Sequence, residues 1–159
     1  MPAAVVDELD AAILSVFAAE PRVGVLQASR RLRVARGTVQ ARLDRLSARG
    51  VVIGWGPELD PAALGYPVTA FVTVEIAQAG HDPIGSRLAE VPEVIEVHTI
   101  TGAGDLFCRV VARSNPDLQR VIDLIVALEG IERTSTVIAL ATQVPHRVMP
   151  LLTNAASTG

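Results

Sequence analysis

Arg36-Gly37-Thr38-Val39-Gln40-Ala41-Arg42-Leu43-Asp44-Arg45-Leu46-Ser47-Ala48-Arg49-Gly50 is the stretch that decides how the N-terminal part of this chain folds. Val39, Leu43 and Leu46 recur at helical spacing among polar residues, which is the pattern of an amphipathic helix. Gly50 is a good residue for stopping that helix, because glycine adopts the left-handed conformation a helix end favours. At 100° per residue, Gly37, Thr38, Ala41, Asp44, Arg45 and Ala48 point away from the core side. Gln40 and Ser47 fall on one flank, and Arg42 and Arg49 on the other.

Upstream, Ala28 and Leu32 place a short helix over 25–33, joined to the first stretch by a brief turn. Before it, Leu9, Ile13, Val16 and Phe17 recur at helical spacing, and Asp7 and Asp10 lie where acids favour a helix N-terminus. Pro21 closes this helix. Three helices, the last two tightly joined, form a helix-turn-helix. Downstream, Val51, Ile53 and Trp55 alternate with Val52, Gly54 and Gly56, as a short strand would. Pro57-Glu58-Leu59-Asp60-Pro61 reads as a linker, with a possible helical turn at 61–65.

Beyond the linker the period changes to two. Residues 68–76 read as a strand, and Asp82-Pro83 opens a helix that buries Ile84 and Leu88. Residues 94–101 and 105–112 are two strands joined by Gly102-Ala103-Gly104. Asn115-Pro116 caps a second helix with Leu118, Val121, Ile122, Ile125 and Leu128 on one side and Gly130 at its end. A last strand covers 131–144. The expectation is an α+β chain: a winged helix-turn-helix over 5–60, a linker over 61–67, a ferredoxin-like βαββαβ domain over 68–144 and a loose tail over 145–159.

The charge is unevenly placed. The chain carries −3 overall, yet residues 1–50 hold eight Arg against five acids, and residues 51–159 hold six Arg against twelve. Within 30–49, seven Arg face the single acid Asp44. A concentrated basic segment in an acidic chain fits a polyanion site; the plainer alternative is a solvated helix face. The order of helices, their tight spacing and the charge together favour double-stranded DNA. Thr38 and Gln40 would reach base edges near the helix N-terminus, past the small Gly37 and Ala41. Arg36, Arg42, Arg45 and Arg49 join them in the DNA-facing set, the last three suited to phosphates, with Arg30, Arg31 and Arg33 nearby.

Other chemistry has little support. Cys108 is the only cysteine and sits in an apolar run, where a small buried residue is expected. His81, His98 and His146 lack metal-ligand spacing, and no phosphate loop, nucleophile elbow or paired-carboxylate pattern is present. No enzyme activity, metal or cofactor is expected. No apolar run approaches a membrane span, and the first residues lack a signal-peptide pattern, so a cytoplasmic location is expected.

Several ordered pieces resemble the Lrp/AsnC, or feast/famine, family: Leu9-Asp10-x-x-Ile13-Leu14, Thr38-Val39-x-x-Arg42-Leu43-x-x-Leu46-x-x-x-Gly50-Val51-Val52-x-Gly54, and Leu59-Asp60-Pro61-x-x-Leu64-Gly65. Thr101-Gly102-x-x-Asp105 and Leu128-x-Gly130-x-x-x-Thr134-Ser135-Thr136 follow. The resemblance runs from about Val6 to Val144. It implies a transcriptional regulator that dimerises through the βαββαβ domain, often into rings of dimers, and binds a small effector, commonly an amino acid. The implied effector positions are Gly102, Gly104, Asp105, Thr134 and Thr136. Asp105 could pair an ammonium group and the hydroxyls a carboxylate, while the alternative for Asp105 is a turn acid that satisfies local N–H groups. This chain departs from the family pattern at Gly24 and Ala35, which open the second and third helices without a capping oxygen. It departs again at Arg33, in a turn position that often holds glycine, and at Ala103-Gly104, which replaces a more polar or aromatic pair. The other function classes in play are an architectural DNA protein without ligand control, and a metabolite module whose helical domain contacts protein.

Overall fold

A computed structural model of the chain describes residues 6–77 and 84–157. It divides into two compact units, one containing residues up to Pro57 together with those from Val144, the other running from Glu58 to Gln143.

In the first unit α1 spans Glu8–Ala19, α2 Val25–Leu32 and α3 Arg36–Ala48. α1 begins with a reciprocal cap: the Asp7 carboxylate accepts from the Asp10 N–H at 2.8 Å, and the Asp10 carboxylate accepts from the Asp7 N–H at 3.3 Å. α2 and α3 start at Gly24 and Ala35 with no side-chain cap. Between them Arg33 adopts φ 56° and ψ 40°, a left-handed backbone at the position where a glycine would be unstrained. It is the only non-glycine residue with positive φ among the described residues. Ile13, Val23, Ala28, Val39 and Leu43 form the buried core that the three helices share.

The strand expected at 51–55 does not form. The N–H groups of Val51 and Val52 both donate to the Leu46 carbonyl, at 2.9 and 3.3 Å, and so finish α3 instead of joining a ladder. Ile53 is almost fully exposed, and Trp55 stands edge-on to Phe17, with 5.5 Å between ring centroids. Alternation alone therefore gave the wrong element here, because among the described residues of this unit no second strand is present to pair with.

In the second unit a single helical turn at 61–65 ends at Gly65, φ 95°, with the Tyr66 N–H donating to the Pro61 carbonyl at 2.9 Å. The unit then runs β1 (Val68–Ile76), α4 (Ile84–Ala89), β2 (Val94–Thr99), β3 (Leu106–Ala112), α5 (Asn115–Val126) and β4 (Ile131–Ala139). The expected N-cap of α4 at Asp82-Pro83 lies outside the described residues, as does His81. α5 is capped one residue earlier than expected: the Ser114 hydroxyl accepts from the Asp117 N–H at 3.2 Å, and Asn115 is already helical. β4 stops at Ala139, short of the expected 144.

The sheet order is β2-β3-β1-β4, and every pair is antiparallel. Ala70, Val72 and Val74 of β1 and Cys108 and Val110 of β3 alternate onto one face. Leu88 of α4 and Leu118, Val121 and Ile125 of α5 cover them. Thr69, Phe71 and Thr73 take the opposite face of β1. There Phe71 stacks on Phe107 at 5.5 Å, and Val137, opposite Phe71 on β4, is 60% exposed.

The tail expected to be loose contains a sixth helix, α6 (Met149–Ser157), which packs on α1 within the first unit. Leu14 and Phe17 of α1, Trp55, and Met149 and Leu152 of α6 line an apolar groove of about 440 Å³. Pro145, Pro150 and the small polar residues near the end conceal this helix in the sequence, yet its Met149, Leu152 and Ala155 supply the apolar stripe that binds it.

Candidate nucleic-acid interface and effector hollow

α3 turns Val39, Leu43 and Leu46 inward and leaves Arg36, Gly37, Thr38, Gln40, Ala41, Asp44, Ser47, Ala48 and Arg49 exposed. Its N-terminal half is thus a surface of small and polar residues, open to close approach. Thr38 is unobstructed, while the Gln40 amide donates to the Asp44 carboxylate at 2.8 Å, a link one helical turn long. Arg30, Arg33, Arg36 and Arg49 make no ion pair among the described residues, whereas Arg31 meets Glu20 at 2.5 Å.

Arg42 and Arg45 are placed differently from the rest of the expected DNA-binding set. Both turn toward the start of α1. Arg42 donates to the Asp7 carboxylate and, at 2.9 Å, to Asp10. A single Arg45 nitrogen lies 2.8 and 2.7 Å from the two oxygens of Asp10, whose side chain has no solvent exposure. The Arg42 hydrogen bond, followed by that of the Asp10 backbone N–H, holds the Asp7 carboxyl below its usual range. Reciprocally, Asp7 and then Asp10 hold Arg42 more firmly protonated. Sequence reasoning assigned the two acids to the helix dipole and missed this clamp. Its signal was available as two matching steps of three, Asp7 with Asp10 and Arg42 with Arg45, each giving one helix a charged edge.

The second expected site lies at the β2–β3 connection. Gly102 and Gly104, at φ 102° and 98°, and Asp105 meet Glu75, Ile76 and Glu132 around an open hollow of about 550 Å³. Asp105 ties the end of β1: its N–H donates to the Val74 carbonyl at 2.9 Å, and its carboxylate accepts from the Ile76 N–H at 2.8 Å. β1 outruns β3, whose pairing ends at Val74–Leu106, and its register against β4 shifts between Glu75 and Ile76. The Asp105 carboxylate thus replaces a missing strand partner. It retains one oxygen without a hydrogen bond among the described residues.

Thr134 and Thr136 are not among the lining residues. They sit opposite Val74 and Val72 on β4 and so share the helix-covered face of the sheet. Glu75 and Glu132, which sequence reasoning did not name, bring the number of carboxylates around the hollow to three. Cys108 is wholly buried, and burial pushes its thiol up to about 11. Among the described residues no group of three or more His, Cys, Asp and Glu side chains could hold a metal, and no helix is long and apolar enough to cross a membrane.

Comparison with known proteins matches both units. A family model described as a winged helix-turn-helix DNA-binding domain covers residues 6–53, and one described as the Lrp/AsnC ligand binding domain covers 69–149. The chain is 29% identical to the HTH-type transcriptional regulator FL11 of Pyrococcus horikoshii over 91% of its length and 96% of the relative. Identity to the regulatory protein AsnC of Escherichia coli is 28%, over 91% and 97% of the two chains. A feast or famine regulatory protein from M. tuberculosis, solved in complex with L-methionine, superposes with a TM-score of 0.81 at 26% identity, over 90% of this chain and 97% of that one. The α+β architecture, the ordered motifs and these full-length likenesses make this chain a member of the Lrp/AsnC family of transcriptional regulators.

Proposed function

We propose that this chain is a cytoplasmic, non-enzymatic regulator that reads double-stranded DNA with α3 and adjusts its binding to an amino acid or related small metabolite. The observation that carries the DNA reading is the exposed start of α3, where Gly37, Thr38, Gln40 and Ala41 offer small and polar groups between the exposed Arg36 and Arg49. A helix with that surface enters a major groove, with Thr38 and Gln40 at base edges and flanking arginines at phosphates. The effector's ammonium group would meet the open oxygen of Asp105 in the three-carboxylate hollow, with Gly102 and Gly104 leaving room. Two copies would pair through the open sheet face around Phe71, Phe107 and Val137, as a dimer or as the unit of a ring of dimers.

Selection of bound sequences from a random pool, followed by footprinting, tests the DNA reading; protection without sequence preference would defeat it. A thermal-shift screen of free amino acids tests the effector, since a specific ligand raises the melting temperature by mass action. The hydrogen bond that already occupies Asp105 favours a second reading, in which the hollow is a structural corner and the protein is an architectural DNA binder. DNA binding without sequence preference that no amino acid alters would support that alternative.

A further inference from the structure

We propose that the acids of α1 divide the arginines of the helix-turn-helix into two sets with different work. Arg42 and Arg45 are positioning residues that fix α3 on α1, while Arg30, Arg33, Arg36 and Arg49 meet the DNA backbone. The proposal rests on the reading of α3 as the DNA-facing helix.

The division follows from where the countercharges lie. Asp10 is fully buried, and its two oxygens receive Arg42 at 2.9 Å and Arg45 at 2.8 and 2.7 Å. To move fully onto a phosphate, either guanidinium must leave that carboxylate. The carboxylate would then remain dry with part of its compensation lost, and an uncompensated buried charge is strongly unfavourable. Asp7 adds a second acid to Arg42 and lies 4.0 Å from Arg45. The four-residue cluster is therefore close to neutral as a unit and contributes little to the release of counterions from DNA. Arg30, Arg33, Arg36 and Arg49 are all exposed and carry no such partner among the described residues. Arg31, paired with Glu20 but about half exposed at both ends, belongs firmly to neither set.

The geometry also explains why an uncapped helix keeps its place. α3 starts at Ala35 without a side-chain cap, and the preceding turn holds Arg33 in a left-handed conformation. Two charged ties from its middle to the first turn of α1 hold the helix from one side while the opposite side stays free. Arg42 and Arg45 thus set the angle at which Thr38 and Gln40 are presented, without themselves reaching the nucleic acid.

The test is the salt dependence of binding to a labelled random-sequence duplex, from about 50 to 200 mM salt, for the full-length chain and four single variants. Each of Arg42→Gln and Arg45→Gln leaves the other arginine on Asp10, and circular dichroism confirms folding at the binding temperature. Arg36→Gln and Arg49→Gln are expected to flatten the slope of log affinity against log salt by about 0.9 each while leaving the melting temperature unchanged. Arg42→Gln and Arg45→Gln are expected to lower the melting temperature by several degrees and to keep the parental slope. A slope flattened equally by Arg42→Gln or Arg45→Gln would overturn the division, because those side chains would then be releasing counterions. If none of the four variants changes the slope, the division fails with its premise, and the failure is traced to the placement of DNA on α3.

Discussion

Gly104 lies so close over Thr73 that no side chain fits between them. A Cβ built on Gly104 would overlap the Thr73 Cγ2 methyl and come within 3.3 Å of the Val74 carbonyl oxygen, on a backbone at φ 98°. Gly102 shares the positive φ, at 102°, but faces open space. The pair separates steric from conformational cost in one connection. Gly104→Ala should destabilise the sheet unit by roughly 2–4 kcal/mol, from overpacking against a stiff β-branched residue plus backbone strain. Gly102→Ala should cost only about 1–2 kcal/mol, the backbone term alone. Urea denaturation of both variants checks this, and equal losses would show that Thr73 moves aside freely.

The buried acid of α1 gives a second expectation. Asp10→Ala leaves Arg45 without the carboxylate that holds it and reduces the partners of Arg42 to Asp7. The loss should lie toward the lower end of roughly 3–5 kcal/mol, because both guanidiniums are partly exposed, at 25% and 39%, and can regain water. The helical unit should melt earlier while the sheet unit keeps its own transition. A variant as stable as the parent would mean that the clamp is energetically neutral.

Acid should weaken both units, and the sign follows from two depressed carboxyls. Asp7 is held below its ordinary 3.8 chiefly by the Arg42 hydrogen bond. Asp117 is held below the same value first by the Arg113 backbone N–H and then by the Arg120 side chain. A carboxyl lowered in the folded state stabilises it fully above the unfolded value, and that stabilisation is lost as pH falls through the folded one. The denaturation midpoint should therefore hold steady down to about pH 5 and decline below about pH 4. Asp7→Asn should flatten the decline for the helical unit alone. A midpoint that rises on acidification would contradict the assignment.

Self-association should depend on the open sheet face. Phe71→Glu places a charge beside Phe107 and opposite Val137, where two copies would otherwise exclude water. Sedimentation should then show a monomer at micromolar concentration with the secondary structure retained. A variant that remains dimeric would locate the interface elsewhere.

How much of this was legible in the sequence depended on the range of each interaction. β1 was readable to the residue over Val68–Ile76 because strict alternation and a buried face agree. The three N-terminal helices were readable within a residue or two because their apolar stripes are local. The strand at 51–55 was misread because alternation does not say whether a partner exists, and the amides of Val51 and Val52 cap α3 instead. The cap of α5 was misplaced by one residue because Asn115 and Ser114 are both good caps, and the hydrogen bond to the Asp117 N–H selects Ser114. Of the expected effector residues, Gly102, Gly104 and Asp105 meet at one hollow, while Thr134 and Thr136 share the covered face of β4. That distinction depends on strand register, which a single sequence does not carry. The clamp between Asp10 and Arg45 spans 35 positions: the two charged steps of three are local and visible, but that they face each other is a tertiary fact.

The packing of α6 on α1 has a consequence for how the protein is made. α6 leaves the ribosome roughly a hundred residues after α3, which at about 5–20 residues per second is a delay of many seconds. Until then Leu14 and Phe17, which help to line the apolar groove beside α6, lack their final cover. The sheet unit, encoded in between, can close first, so the helical unit, although its first three helices are encoded earlier, is completed after it. A nascent helix-turn-helix in that state exposes an oily strip to its surroundings, and it would benefit most from a chaperone during the interval before α6 arrives.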